Sequence, residues 1–158
     1  MDVTEAVAGL TDPDRRSEAA RVVAATRDPS LLAAVVKAVD IRAEASIVPL
    51  VEAAKAIGGA EEALRLSASA DPGERYLAAR LIDLVGDDRH LPALEQLVSD
   101  GDPSVSGAAR HALAESERTE AWHEVVRQLV ASADEELASA AAAWLSAGSR
   151  GPGVFTAE

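Results

Sequence analysis

Asp71-Pro72 and Asp102-Pro103 stand 31 residues apart, and each opens the same apolar helical pattern. Asp12-Pro13 lies 59 residues before the first of them, close to two such periods. No other feature narrows the fold as far. A fixed period of about 30 residues in a helical pattern describes stacked helix pairs, each unit burying its apolar face against its neighbours. Laid over one another, the segments from Asp12 and Asp71 match at Arg16 and Arg75, Ala20 and Ala79, Arg21 and Arg80, and Asp28 and Asp87. The matches form two blocks around a polar turn, 26–30 in one copy and 86–89 in the other. Each unit therefore reads helix A, turn, helix B, and a second turn ending in Asp.

Local chemistry supports this division. Asp12, Asp71 and Asp102 are N-cap residues, whose carboxylates accept from the unpaired N–H groups of a first turn. Pro13, Pro72 and Pro103 take the first helical position, where a missing N–H costs nothing. Asp28-Pro29 repeats the signal before a B helix. Unit two, about Asp40 to Ala70, has Ile47, Leu50, Val51, Ala54 and Ile57 at helical spacing. Pro49 interrupts that pattern and marks a late start or a kink. Gly58-Gly59 supplies its turn. Unit four runs from Asp102 to Ala133, Asp134 opens a last A-type helix, and residues 1–11 read as a half-unit with Asp2 and Glu5 at capping-box spacing. The stack spans 1–147. The tail, 148–158, carries three glycines and a proline and is expected to be flexible, with Val154-Phe155 as a docking alternative.

Asp-Pro-x-x-Arg-x-x-Ala-Ala-Arg at Asp71, followed by Gly-Asp-Asp-Arg-His-Leu-Pro-Ala-Leu from Gly86, resembles the short HEAT-like repeat, of the class also found in phycobilin lyases. The resemblance covers about residues 12–147. Unit four departs from it in having Ser106 where the repeat carries Arg. It implies an all-α fold: a right-handed α-α superhelix, a HEAT-like α-solenoid, of about four helix pairs plus terminal helices. It specifies architecture far better than function, since such repeats occur in scaffolds, inhibitors, lyases and DNA-repair enzymes.

Composition limits the chemistry. Roughly a fifth of the residues are alanine, which favours helix and lets helices approach closely. There is no cysteine, which rules out disulfides, thiolate metal sites and thiol nucleophiles. No basic-plus-apolar leader and no bilayer-length apolar run is present, so the cytoplasm is the expected compartment and no membrane is expected as a partner. The net charge of −12 argues against backbone-driven nucleic-acid binding.

The repeated arginines Arg16, Arg21, Arg75 and Arg80 read as an internal ladder, each pairing with an Asp or carbonyl in a neighbouring turn, with Asp28 and Asp87 as recurring acidic turn residues. The other reading is an anion-binding stripe. His90, His111 and His123 lack a metal-ligand spacing, and His90, at a B-helix start, is expected to face solvent. The pairs Glu61-Glu62, Asp87-Asp88 and Glu135-Glu136 open helices, where negative charge complements the macrodipole. Trp122 and Trp144 either fill the C-terminal core or act as hot spots for a partner. No nucleotide loop or nucleophile elbow occurs, and no cofactor, metal or catalytic residue is expected.

Solenoids of this kind bind on the concave side, lined by B helices. Leu32, Val35 and Val39, Leu91, Leu94 and Val98, and Val126, Leu129 and Val130 are expected to point inward. Lys37, Glu62, Arg65, Glu95, Gln96, Glu124, Arg127 and Gln128 then form the outward face. That face is mixed and polar, suited to a protein or peptide of complementary charge, a basic one among them. The chain is thus expected to be a non-catalytic protein–protein interaction module. The competing expectation is a small HEAT-like lyase or other enzyme acting on a bound cofactor or nucleobase, which requires His90, His111 and Glu124 to converge in one cavity.

Overall fold

The aspartates that mark the period do cap the turns they precede. In the structure, a computed structural model that describes residues 1–41, 45–115, 127–132 and 134–147, Asp71 Oδ1 accepts the Gly73 N–H at 3.2 Å. Asp102 Oδ1 accepts the N–H groups of Ser104 (2.9 Å) and Val105 (3.3 Å). Asp12 caps Asp14 N–H at 2.9 Å, but here a separate turn precedes the helix, which begins at Arg16.

Two compact units result, Met1–Ala63 and Leu64–Glu158, their boundary falling inside one helix. The first holds α1 (Val3–Gly9), α2 (Arg16–Thr26), α3 (Leu32–Asp40), α4 (Val48–Ala56) and the start of α5 (Gly59–Ser67). In it α1 packs on α2, and α4 packs on both α2 and α3. The second holds the end of α5, then α6 (Pro72–Val85), α7 (Leu91–Leu97), α8 (Pro103–Glu115) and α9 (Glu135–Ala147), with α6, α7 and α8 in mutual contact. All regular structure among the described residues is helical.

The two well-matched units agree in detail. Both B helices, α3 and α7, are entered through one 3-10 turn, Pro29–Leu31 in one and Asp88–His90 in the other. The aspartates before them, Asp28 and Asp87, accept from the N–H two residues on. They are therefore local caps, and this corrects the expectation that they receive the arginine ladder. Alanines line the seams between A helices: Ala19 on α2, Ala53 on α4, Ala78 on α6 and Ala109 on α8 are all buried. Their small size lets the helix backbones approach.

Unit two starts late, as the Pro49 interruption allowed. Ser46 Oγ caps the Val48 N–H at 3.1 Å, and Pro49 lies in the first turn of α4, where it breaks no hydrogen bond. The Gly58-Gly59 turn needs both glycines. Gly58 has φ +87°, in the left-handed region, and a Cβ on Gly59 would lie 2.8 Å from the Ala54 carbonyl oxygen.

Directional bonds set the register of the A helices. Arg16, only 2% exposed, donates from Nε to the Leu10 carbonyl at 2.8 Å. Its Nη1 reaches the carbonyls of Ala45 and Ser46, just before α4 (3.3 and 3.4 Å). Arg27, past the end of α2, donates to the Ala56 carbonyl at the end of α4 (3.3 Å). Start bonds to start and end to end, so α2 and α4 run parallel. Arg75 repeats the device: Nη1 bonds the Ser69 and Ala70 carbonyls (3.1 and 3.0 Å), and Nε and Nη2 fork onto Asp100, before α8 (2.8 and 3.1 Å).

Where unit four has Ser106, Arg110 stands one helical turn later and acts in its place. Its Nε donates to the Val98 carbonyl at 3.3 Å, and its Nη2 reaches Asp134 Oδ2, before α9, at 3.4 Å. Arg21 makes no such bond to a described residue, contrary to the expectation drawn from its repetition. Arg80 lies over the Tyr76 ring, 6.0 Å from its centroid, and donates to its hydroxyl at 3.2 Å. Arg21 is exposed.

Arg16→Ala strips three carbonyls of a charged donor inside the first unit. A loss of about 2–3 kcal/mol in unfolding free energy is expected by chemical denaturation. Arg16→Lys should recover only part of it, because an ammonium does not fork.

Candidate functional site

The outward B-helix residues are distributed between the two units. Lys37 is exposed on α3 and Glu62 half-buried on α5 in the first; Arg65 is exposed on α5, Gln96 exposed and Glu95 half-buried on α7 in the second. Arg127 and Gln128 are exposed and helical, as is Leu129 after them. Trp122, His123, Glu124, Val126 and the tail 148–158 lie outside the described residues, as does the side chain of Trp144 within α9.

Of the residues expected to point inward, Leu32, Val35, Leu91, Leu94, Val98 and Leu129 are buried, and Val39 is half-buried. Val130 is a correction: it is 42% exposed, because the helical segment ends at Leu129 and Val130 stands in the turn that follows.

His90 is a second correction. It is fully buried, not solvent-facing. Its Nδ1 accepts the Asp87 N–H at 3.0 Å, while Asp87 caps the turn in return, a capping box with histidine in the role of glutamate. Nδ1 is thereby engaged as an acceptor within its own turn. Arg89 forks onto Asp87, with Nε 3.0 Å from Oδ1 and Nη2 3.0 Å from Oδ2. These side-chain bonds, with the Arg89 N–H, hold the Asp87 carboxyl down at about 2. His111 lies elsewhere, exposed on α8 with Nε2 3.7 Å from Asp83 Oδ2 on α6. The two histidines do not converge. Among the described residues no group of His, Asp and Glu is arranged to hold a metal ion. The acidic pairs fall in first turns, Glu61 and Glu62 in α5 and Glu135 and Glu136 in α9, where the helix dipole favours them.

Two clefts lie between A helices. In the second unit Tyr76 and Arg80 of α6 face Ser104, Gly107 and His111 of α8 across a cleft of about 500 Å³. In the first unit α2 contributes Ser17, Ala20, Arg21 and Ala24 to a groove of about 490 Å³, and α4 contributes Val48, Pro49, Glu52, Ala53 and Ala56. Arg21 and Arg80 occupy equivalent repeat positions, so their recurrence was the sequence signal for these clefts, read there as part of the ladder.

Helix pairs repeated with shared caps, shared 3-10 entries and an arginine rung define an α-helical repeat protein. A family model of HEAT repeats matches residues 60–146, and the chain belongs to that family. No curated protein and no solved structure matches the chain. No helix among the described residues is long and apolar enough to cross a membrane.

Asp87 and Asp100 give the fold an acid dependence. Arg75, through its hydrogen bonds, holds the Asp100 carboxyl below the ordinary carboxylate range. Both folded-state values lie below those of the unfolded chain. Both groups therefore stabilise the fold fully above the unfolded value of about 4 and lose that contribution as pH falls through the folded values. Melting temperature should be insensitive to these groups between about pH 5 and 7 and fall below about pH 4, with Asp100→Asn flattening the acid limb.

Proposed function

We propose that the chain is a non-catalytic interaction module that presents its B-helix face to another protein or peptide. The observation that carries this reading is a division of labour among its charges. Residues that repeat are spent on architecture: Asp71 and Asp102 cap, and Arg16, Arg75 and Arg110 tie one A helix to the start of the next. Those on the B helices, such as Lys37 and Gln96, do not repeat and are exposed. Within each unit, a frame held by internal forks keeps its own B-helix residues preorganised, which lowers the ordering cost of binding. HEAT repeats commonly serve as protein-interaction scaffolds. The net charge of −12 favours a partner carrying basic groups, attracted at long range and matched at contact. The partner contacts assigned here are Lys37, Glu62, Arg65, Glu95, Gln96, Arg127 and Gln128.

Affinity capture from the source organism, followed by titration of the purified partner, tests this. The triple variant Lys37→Glu, Arg65→Glu and Arg127→Glu should weaken binding by at least about tenfold, measured on protein that a melting curve shows to be folded. Full retention of every captured partner contradicts the assignment.

A further inference from the structure

The A helices α6 and α8 open on Asp-Pro, and Asp-Pro also precedes α2; α4 opens instead on Ile47-Val48-Pro49. The change leaves two apolar side chains, Ile47 and Val48, at the start of α4. Val48 is 61% exposed and Ile47 44%. Val48 forms one end of the α2–α4 groove, whose floor is Ala20, Ala24, Ala53 and Ala56. An exposed apolar rim over an alanine floor is a surface that gains from being covered.

The walls carry opposite charges. Arg21 stands five residues into α2 and Glu52 four into the parallel α4, so they face the groove from opposite sides within about one helical turn of the same level. Arg21 makes no hydrogen bond or ion pair with a described residue, and Glu52 is loosely paired with Lys55 at 3.9 Å, both largely exposed. From Ser17 to Ala24 the groove runs about 10 Å, the length of two helical turns.

We propose that this groove docks an amphipathic helix of a protein partner. Parallel helices with a small-residue seam accept the i, i+4, i+7 ridge of a third helix, in the helix-in-groove mode of recognition. The apolar ridge lies on the alanine floor against Val48, an acidic flank faces Arg21, and a basic flank faces Glu52. The site is on the A helices and goes beyond the B-helix face proposed above.

The probe is a stapled, fluorescein-labelled helix with leucines along one stripe, glutamates on one flank and lysines on the other. Its controls carry serine for leucine, or a single charge sign on both flanks. Anisotropy with the full chain should show the mixed-flank helix binding about tenfold tighter than any control. Ala56→Trp, which fills the groove, and Val48→Asp should each weaken it by about tenfold or more. Arg21→Glu or Glu52→Lys alone should weaken it about fivefold, and the two together should restore it, because the helix then docks end for end. The charge-reversed B-face variant should bind the probe unchanged, which separates this site from that face. No binding at about 100 µM, indifference to Ala56→Trp in a folded variant, or no restoration by the double reversal overturns the proposal.

Discussion

The structure depends on an arginine near the start of one A helix that bonds the loop leading into the next. The seams between A helices are built from alanine, and alanine buries too little surface to select one register over another. A forked guanidinium supplies the missing direction. It reads the Leu10, Ala45 and Ser46 carbonyls from Arg16, and the Ser69 and Ala70 carbonyls with the Asp100 carboxylate from Arg75. Side chains with Arg75 21% and Asp100 11% exposed are shielded enough for such a bond to matter more than a surface ion pair.

This accounting separates frame from surface. The caps, the 3-10 entries and the rungs recur because every unit needs them, and a residue committed to a neighbour is poorly placed to read a partner. Specificity in a repeat fold therefore resides where the units differ. The apolar opening of α4 is one such difference, and the polar residues of the B helices are another. His90 shows the same logic at a single position: a side chain with catalytic chemistry is enclosed and occupied by an amide of its own turn.

Much of the frame was legible in the sequence because its signals are local. Asp-Pro declares a cap and a first turn, Gly58-Gly59 declares a left-handed turn, and the Arg16–Arg75 match declares a rung. Arg110 was not legible by aligned position, since the same helix face was reached from one turn later. The burial of His90 was missed because Asp-x-x-His was not read as a capping box. The grooves were invisible for a different reason. They arise between helices some 30 residues apart, from alanines that carry no chemical signal of their own.

The central claim is that the rung is defined by the helix face it occupies and not by one sequence position. Moving it tests that claim most directly. Arg110→Ala should lower the melting temperature, and adding Ser106→Arg, which returns the arginine to the position that Arg75 holds in its own unit, should recover most of the loss in a thermal unfolding series. If Arg110→Ala leaves the melting temperature unchanged, or Ser106→Arg recovers nothing, the ladder does not hold the stack together.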